Sequence, residues 1–266
     1  MSIFSKDALA YEHIVITGAT GDIGFDTAKV IASMGARITI NGRNEIKLEN
    51  LKQELLEITN EDSIAVIAAD ITKAQEREKL VSKAEKRLGV ITGLVNAAGI
   101  SGGGTVDQLS EEEIEKIMQV NYLSTFSLTK MIYQNMIKQK KGHIVNVASL
   151  SGLRATRGNS AYASSKFALV GWTQSLAVEA IEHNIRVNAV CPGFVDSEMA
   201  TQAIERKAEQ NGISYEDQLE KVKQGLPSGR LTTTTEVGNT IAFLLTDATP
   251  NIVGESVKIS GGSVMR

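Results

Sequence analysis

A single cysteine, Cys191, excludes an internal disulfide, and its place in the apolar run RVNAVCPG points to a buried, inert thiol rather than a nucleophile. Three histidines, His13, His143 and His183, are scattered without metal-ligand spacing or an acid partner. With no Cys/His cluster and no His-Glu-x-x-His, a metal centre is not expected. No apolar run approaches the roughly 18 residues of a membrane span, and Met1 to Ala10 shows no signal-peptide pattern, so a soluble, cytoplasmic chain is expected. Excess charge is also lacking: a formal net charge of −3 gives no electrostatic reason to expect a nucleic acid or an anionic membrane as partner. Nor is there a Pro/Gly/Ser-rich linker, a shift of composition or an internal repeat. The 266 residues, 42% hydrophobic and 22% charged, are enough for one large core, and one domain over 1–266 is expected.

What the chain does have is alternation. Apolar strand candidates recur at 12–17, 36–41, 63–69, 91–95, 142–148, 184–190 and 256–260, separated by amphipathic helical stretches. Such β-α alternation predicts an α/β fold, a doubly wound parallel sheet (Rossmann fold) of about seven strands with helices on both faces. The first strand candidate breaks into Gly18-Ala19-Thr20-Gly21-Asp22-Ile23-Gly24 and resumes as a helix through Met34, with a second strand at Ile38 to Ile40. Strand, glycine turn and helix in that order suit a dinucleotide, because glycine lets the backbone approach a diphosphate and the helix N-terminus attracts it. Between the sixth strand and a helix near Thr235, the stretch 198–225 is rich in Glu, Lys and Gln and reads as an exposed, polar helical hairpin.

The chemistry lies in Ala161-Tyr162-Ala163-Ser164-Ser165-Lys166, with Ser149 thirteen positions before Tyr162 (162 − 149) at the end of a strand. One helical turn brings a phenol and an ammonium to the same face, and the cation favours the phenolate, pulling the tyrosine pKa below its ordinary value of about 10. A tyrosine so tuned can exchange a proton with a carbonyl or alcohol oxygen. Taken alone, Tyr-x-x-x-Lys would describe an ordinary surface pair.

Five segments together resemble the short-chain dehydrogenase/reductase family, in its short single-domain branch, over residues 11–262. They are TGATGDIG at 17–24, Asp70 in IAADIT, NAAG at 96–99, Ser149 with Tyr162 and Lys166, and Cys191-Pro192-Gly193 leading into Phe194-Val195-Asp196-Ser197. The resemblance implies an NAD(P)-dependent oxidoreductase in which Tyr162 is the proton donor or acceptor and Lys166 lowers its pKa and meets the nicotinamide ribose. It makes Ser149 the holder of the substrate oxygen and gives Asn121 a share in a water relay to Lys166, whereas from the residues alone Asn121 could be a helix-interior amide. Cofactor contacts carried over are Gly18, Thr20, Gly21, Asp22, Ile23 and Gly24 at the diphosphate. Asp70 and Ile71 fall at the adenine, Asn96, Ala97 and Gly99 at the adenosine ribose, and Pro192, Gly193, Val195 and Ser197 at the nicotinamide. Asp70 could equally cap the helix starting near Ala74.

At the end of the second strand, Gly42 stands where NAD-dependent relatives carry an acid, and Arg43 follows with donors suited to a 2′-phosphate, which favours NADP(H) over NAD(H). One departure stands out. The short branch spaces its glycines to place one at 22, where this chain has Asp22, an aspartate that could repel the diphosphate or cap the helix.

The resemblance makes the hairpin at 198–225 a substrate lid, and the sequence around it looks like that of 3-oxoacyl reductases and 3-hydroxybutyrate dehydrogenases. The expected reaction is therefore NADPH-dependent reduction of a 3-oxoacyl thioester on CoA or an acyl-carrier protein. The alternatives are an NAD-dependent alcohol or 3-hydroxyacid dehydrogenase and a non-catalytic cofactor-binding module. Gly102-Gly103-Gly104 suggests a mobile loop and a roomy entrance, and Lys140 either docks an acidic carrier or is a solvated helix end. The stretch from Ile114 to Ile137, with Met118, Met131 and Met136, and that from Tyr162 to Ile181 are apolar on more than one face, which predicts a homo-oligomer, expected to be a two-fold symmetric tetramer.

Overall fold

The computed structural model describes residues 4–265. Of the Met1 to Ala10 segment inspected for a leader, Met1 to Ile3 lie outside the described residues. Seven parallel strands form one sheet: β1 (His13–Thr17), β2 (Arg37–Gly42), β3 (Ile64–Ala68), β4 (Gly93–Asn96), β5 (Gly142–Val147), β6 (Ile185–Pro192) and β7 (Ser256–Ile259), in the order β3-β2-β1-β4-β5-β6-β7. All seven overlap the seven apolar runs of the sequence. β1, β5 and β6 are buried throughout, as strands covered on both faces must be.

Helices α1 (Asp22–Ser33), α2 (Glu45–Leu56) and α9 (Thr234–Leu245) cover one face, where Ile31, Leu51 and Ile241 are fully buried. On the other lie α3 (Ala74–Leu88), α5 (Ser124–Gln139) and α6 (Ser160–Ile181), with Leu80, Ile132 and Leu176 in the core. Helix starts follow local chemistry: Asn44 caps the Lys47 amide at 3.0 Å, and Thr233 and Glu236 form a reciprocal capping box. The order of strands reverses at β1, so β1 and β4 pair although β2 and β3 intervene in sequence. That pairing sets Thr17 opposite Asn96 and opens a crevice beyond their carboxyl ends. The stretch 198–225 forms α7 (Glu198–Asn211) and α8 (Tyr215–Gln224).

The apolar stretch from Ile114 to Ile137 is not one regular helix. α4 (Glu111–Met118) and α5 are joined by a π-helical turn over Gln119–Leu123, the kind of local widening that turns a side chain inward. Asn121 is the one buried residue of that turn.

At the amino ends of the strands, away from the crevice, two histidines are structural. The His13 ring bonds the Gly89 carbonyl at 2.7 Å and the Thr39 hydroxyl at 2.8 Å. Arg186 donates to His143 Nδ1 at 2.9 Å, which fixes that ring as neutral, with Nε2 3.3 Å from Asp247. Burial lowers the His13 pKa to about 4, and burial with the Arg186 charge lowers that of His143. Both rings are therefore neutral in the folded protein, whereas in the unfolded chain they protonate below about 6.5. Between pH 6.5 and about 4 the unfolded state binds more protons, so the contribution of these rings is whole above pH 6.5 and is lost as pH falls through that window. The urea midpoint is expected to drop steadily from pH 7 to 4.5; a level midpoint would contradict neutral buried rings.

Candidate active site

Every site residue read from the sequence lies at the carboxyl end of a strand, on the connection leaving it or on a helical segment that follows. At the centre is α6. Lys166 is 5% exposed, and its Nζ donates to the carbonyl of Val147, the last residue of β5, at 2.8 Å. Burial lowers its pKa to about 8. Its Nζ lies 5.7 Å from the centre of the Tyr162 ring. Ser149, just past β5, has extended backbone, accepts from the Ser151 amide at 3.1 Å and hydrogen-bonds the Tyr162 side chain.

The expected depression of the Tyr162 pKa is not what the chain alone produces. Burial raises it above 10, and the Ser149 hydrogen bond opposes the rise. The lysine, itself desolvated and bonded to a carbonyl, does not reverse that shift. The phenol is consequently protonated at neutral pH, and Ser149, Tyr162 and Lys166 converge on one spot.

Asn121 stands behind this trio, and its amide is fully engaged. Oδ1 accepts from the Ile100 amide at 2.8 Å, while Nδ2 donates to the Ile100 carbonyl at 3.0 Å and to Ser165 Oγ at 3.0 Å. Ser165, completely buried, in turn donates to the Tyr162 carbonyl at 2.7 Å. The side chain of Asn121 thus braces the turn after β4 against α6. A Cβ placed on Gly99 would stand 3.4 Å from Asn121 Oδ1 and 3.6 Å from Lys166 Nζ, so that turn passes beside both.

The remaining predicted residues divide into those that can face a ligand and those that cannot do so by side chain. Gly18, at φ +64°, packs so closely on the next connection that a Cβ would lie 2.6 Å from the Ala98 nitrogen. The turn continues through Thr20 and Gly21 into α1, whose first-turn amides at Asp22, Ile23 and Gly24 have no acceptors within the helix. These amides can hold a diphosphate. Ile23 and Ala97 are partly buried against the core, whereas Val195 and Ile71 are 5% exposed and would meet a ligand chiefly through their backbone. Asn96 serves the sheet: its Nδ2 donates to Thr129 and Asn146, and Oδ1 has no partner.

At the far side of the crevice, Arg43 is exposed, without a hydrogen bond or ion pair among the described residues, and close enough to lower the Asp70 pKa. Asp70 does not cap α3; its Oδ1 accepts from the Thr72 amide at 3.0 Å and hydroxyl at 2.8 Å, forming a separate turn. A Cβ on Gly42 would fall 2.7 Å from the Thr20 methyl, so the second strand ends in a residue without room for a side chain. Pro192, the last residue of β6, and Gly193 lead to a segment tied to Thr232 by the Asp196 amide, and Ser197 caps α7 through the Ala200 amide at 3.3 Å.

The structure also shows what the sequence reading did not. In the glycine loop at 102–104 the Gly104 amide donates to the Gly158 carbonyl at 3.0 Å, joining that loop to the turn before α6. Ser165 was passed over because nothing in sequence singles it out from Ser164. The Asp22 side chain turns away from its own helix and accepts from the Glu198 amide at 2.7 Å, across 176 residues of sequence. Among the described residues no group of three or more His, Cys, Asp or Glu side chains could hold a metal ion, and no helix is long and apolar enough to cross a membrane.

A strand-end crevice with an amide-rich turn at one end and a Ser-Tyr-Lys convergence at the other defines an oxidoreductase of the nucleotide-binding α/β type. The chain belongs to the short chain dehydrogenase family, whose model matches residues 12–208, and it acts, as that family does, on hydroxyl and ketone groups. It is 31% identical over 251 residues, spanning 94% of this chain and 96% of the relative, to the 3-oxoacyl-(acyl-carrier-protein) reductase FabG of Rickettsia felis. Over the same shares it is 32% identical to the D-beta-hydroxybutyrate dehydrogenase of Cupriavidus necator. Among solved structures it is similar to actinorhodin polyketide ketoreductase with NADPH, at TM-score 0.92 and 29% identity, covering 98% of this chain and 99% of that one.

Replacing Asn121 by Ala removes three hydrogen bonds and strands the Ile100 amide and carbonyl. Stability is expected to fall by about 2–3 kcal/mol in urea unfolding, and a loss under about 0.5 kcal/mol would show that the brace is not needed.

Proposed function

We propose that this chain is an NADPH-dependent reductase of a ketone carbonyl, and that its substrate is a 3-oxoacyl thioester. The observation that carries the reading is the convergence of Ser149, a protonated Tyr162 and the buried Lys166 at the mouth of the crevice. Similarity to a 3-oxoacyl-(acyl-carrier-protein) reductase and to a polyketide ketoreductase supports the carbonyl class. Arg43, exposed and without a hydrogen bond or ion pair among the described residues, and with glycine in place of an acid at 42, supports the phosphorylated dinucleotide. First-turn amides of α1 would hold the diphosphate, Asp70 the adenine, and the connection after β6 the nicotinamide.

When bound, the dinucleotide supplies a hydride to the carbonyl carbon. Ser149 and Tyr162 hold the carbonyl oxygen, and as that oxygen gains the electron pair of the breaking π bond, Tyr162 gives it the phenolic proton. The raised pKa keeps that proton in place at neutral pH until the substrate oxygen needs it. Lys166 offsets the phenolate charge left behind, and the engaged amide of Asn121 keeps the turn after β4 and α6 in register, so that a water on that side can reprotonate the tyrosine through the lysine. The hairpin of α7 and α8 serves as the substrate lid, and the whole chain works as one catalytic domain.

Apolar side chains left exposed on α5 and α6, Phe126, Phe167, Val178 and Ile181, support a two-fold symmetric homotetramer. A cytoplasmic location suits a chain with one cysteine and no disulfide. A second reading is favoured by the likeness to D-beta-hydroxybutyrate dehydrogenase: the same residues in reverse, with Tyr162 as base, oxidising a 3-hydroxyacid with NAD.

Titration with NADPH and NADH, followed by acetoacetyl-CoA or an acetoacetyl carrier protein, is the direct test. Tight NADPH binding and its oxidation by either thioester is the expected result, NADH consumption or 3-hydroxybutyrate oxidation would favour the second reading, and failure of both dinucleotides to bind at micromolar concentration would leave a non-catalytic module. Tyr162→Phe is expected to cut turnover by roughly 10²- to 10⁴-fold with dinucleotide affinity retained; survival of most of the activity would sink the proton-donor role. Arg43→Ala should weaken NADPH by roughly 10- to 100-fold and leave NADH nearly untouched, and equal effects on the two would remove the cofactor preference.

A further inference from the structure

We propose that Asp22 is a positioning residue that clasps the start of the lid helix α7 to the glycine turn, so that the two ends of the cofactor crevice are held in one arrangement before any ligand arrives. Asp22 is the first helical residue of α1, where the N-cap Gly21 offers no side-chain cap. Its carboxylate nevertheless leaves its own helix and accepts, at 2.7 Å, from the backbone amide of Glu198, the first helical residue of α7. That amide is one of the donors a helix end leaves unpaired. Ser197 satisfies another, the Ala200 amide, at 3.3 Å, and Lys47 of α2 reaches the Glu198 carboxylate at 3.5 Å. The start of α7 is thus fastened to α1 and α2 by an anion at its positive end and a cation on its side chain, and the charge-assisted Asp22 bond is the shortest of these contacts.

The clasp spans a cleft of about 640 Å³ lined by Thr20, Asp22, Asp196, Ser197 and Glu198 among others. Where the dinucleotide lies follows from the function proposed above, and on that reading its diphosphate comes to the first-turn amides of α1, beside this carboxylate. The hydrogen bond to Glu198 then has a second consequence. It draws the negative oxygen toward α7 and away from the amides the diphosphate needs, so an aspartate is tolerated in the turn. The two possibilities left by the sequence, repulsion of the diphosphate or capping of its own helix, give way to a third, capping of a different helix.

The test uses hydrogen exchange on the whole protein without dinucleotide, so it does not depend on the cofactor reading. In Asp22→Ala, exchange over residues 198–204 is expected to rise roughly tenfold while β1 and β4 stay as protected as before. Asp22→Asn keeps an acceptor for the Glu198 amide without the charge, and should hold that exchange within about threefold of the parent. Titrating the same proteins with NADPH should show Asp22→Asn binding severalfold tighter than the parent and Asp22→Ala raising KM for the carbonyl substrate more than it lowers kcat. Unchanged exchange at 198–204 in Asp22→Ala, or Asp22→Asn exchanging as fast as Asp22→Ala, would overturn the clasp. Absence of NADPH binding by the parent would defeat the cofactor reading and leave the exchange result to stand on its own.

Discussion

The site depends on a buried ammonium. Lys166 is carried on α6 into a place where water cannot solvate it, and the carbonyl of Val147 is the only hydrogen-bond acceptor it meets among the described residues. An ammonium taken out of water with one partner is costly, and the lowered pKa is the measure of that cost. Two further consequences follow from this single bond. Strand β5 has to end where its last carbonyl can reach α6, and α6 has to be rotated so that position 166 faces the strand. Tyr162, four residues earlier, is then brought round to the mouth of the crevice by helical geometry alone.

What sets that rotation is polar rather than apolar. α6 is apolar around most of its circumference, and a helix without a single hydrophobic stripe has no preferred face to offer the sheet. Its buried polar residues supply the register instead. Ser165 meets Asn121 and the Tyr162 carbonyl, Lys166 meets Val147, and Thr173 receives Asn146, which in turn receives Asn96 from the neighbouring strand. A one-residue rotation would break the bonds of Ser165 to Asn121, Lys166 to Val147 and Thr173 to Asn146 at once and leave donors unpaired in the interior, a far larger penalty than any shift among Ala, Leu and Val would bring. The π-helical turn around Asn121 belongs to the same device, because it is what delivers an amide from the adjoining helix to Ser165 and Ile100.

Much of this was legible from local pattern. The apolar runs at 12–17 and 142–148 became β1 and β5 because strands buried on both faces must be apolar throughout, and the pairing of Tyr162 with Lys166 needed only a count of four residues on a helix. Illegible features are those that join distant parts of the chain or depend on desolvation. The rise in the Tyr162 pKa is set by burial, which no spacing of residues reports. The interruption after Met118 arises from a bond between Asn121 and a loop 21 residues away, and the apolar pattern on either side continues as if the helix were regular. Glycine at 102–104 suggested freedom of movement, whereas the Gly104 amide is fixed to Gly158. Composition can show that a loop permits many conformations, but not which partner selects one.

The carboxylates along the edge of the cleft bear on how such a site can admit an anion. Asp22, the first residue of α1, accepts from the Glu198 amide at the start of α7, and Asp26, one turn further along α1, accepts from the hydroxyls of Thr234 and Thr235 at the start of α9. Two cations are drawn in, Lys47 against Glu198 and Lys29 against Glu54. Each of these carboxylates is engaged, Asp22 by the amide at the start of α7, Asp26 by hydroxyls at the start of α9, and Glu54 and Glu198 by lysines, an arrangement that directs each one toward a partner within the protein. A diphosphate drawn to the first turn of α1 would meet carboxylates whose field is already directed into α7 and α9. Under the proposed reading, the attraction of the α1 amides then has to exceed only the residual repulsion, and the geometry of the lid's first turn becomes part of what determines the strength of cofactor binding.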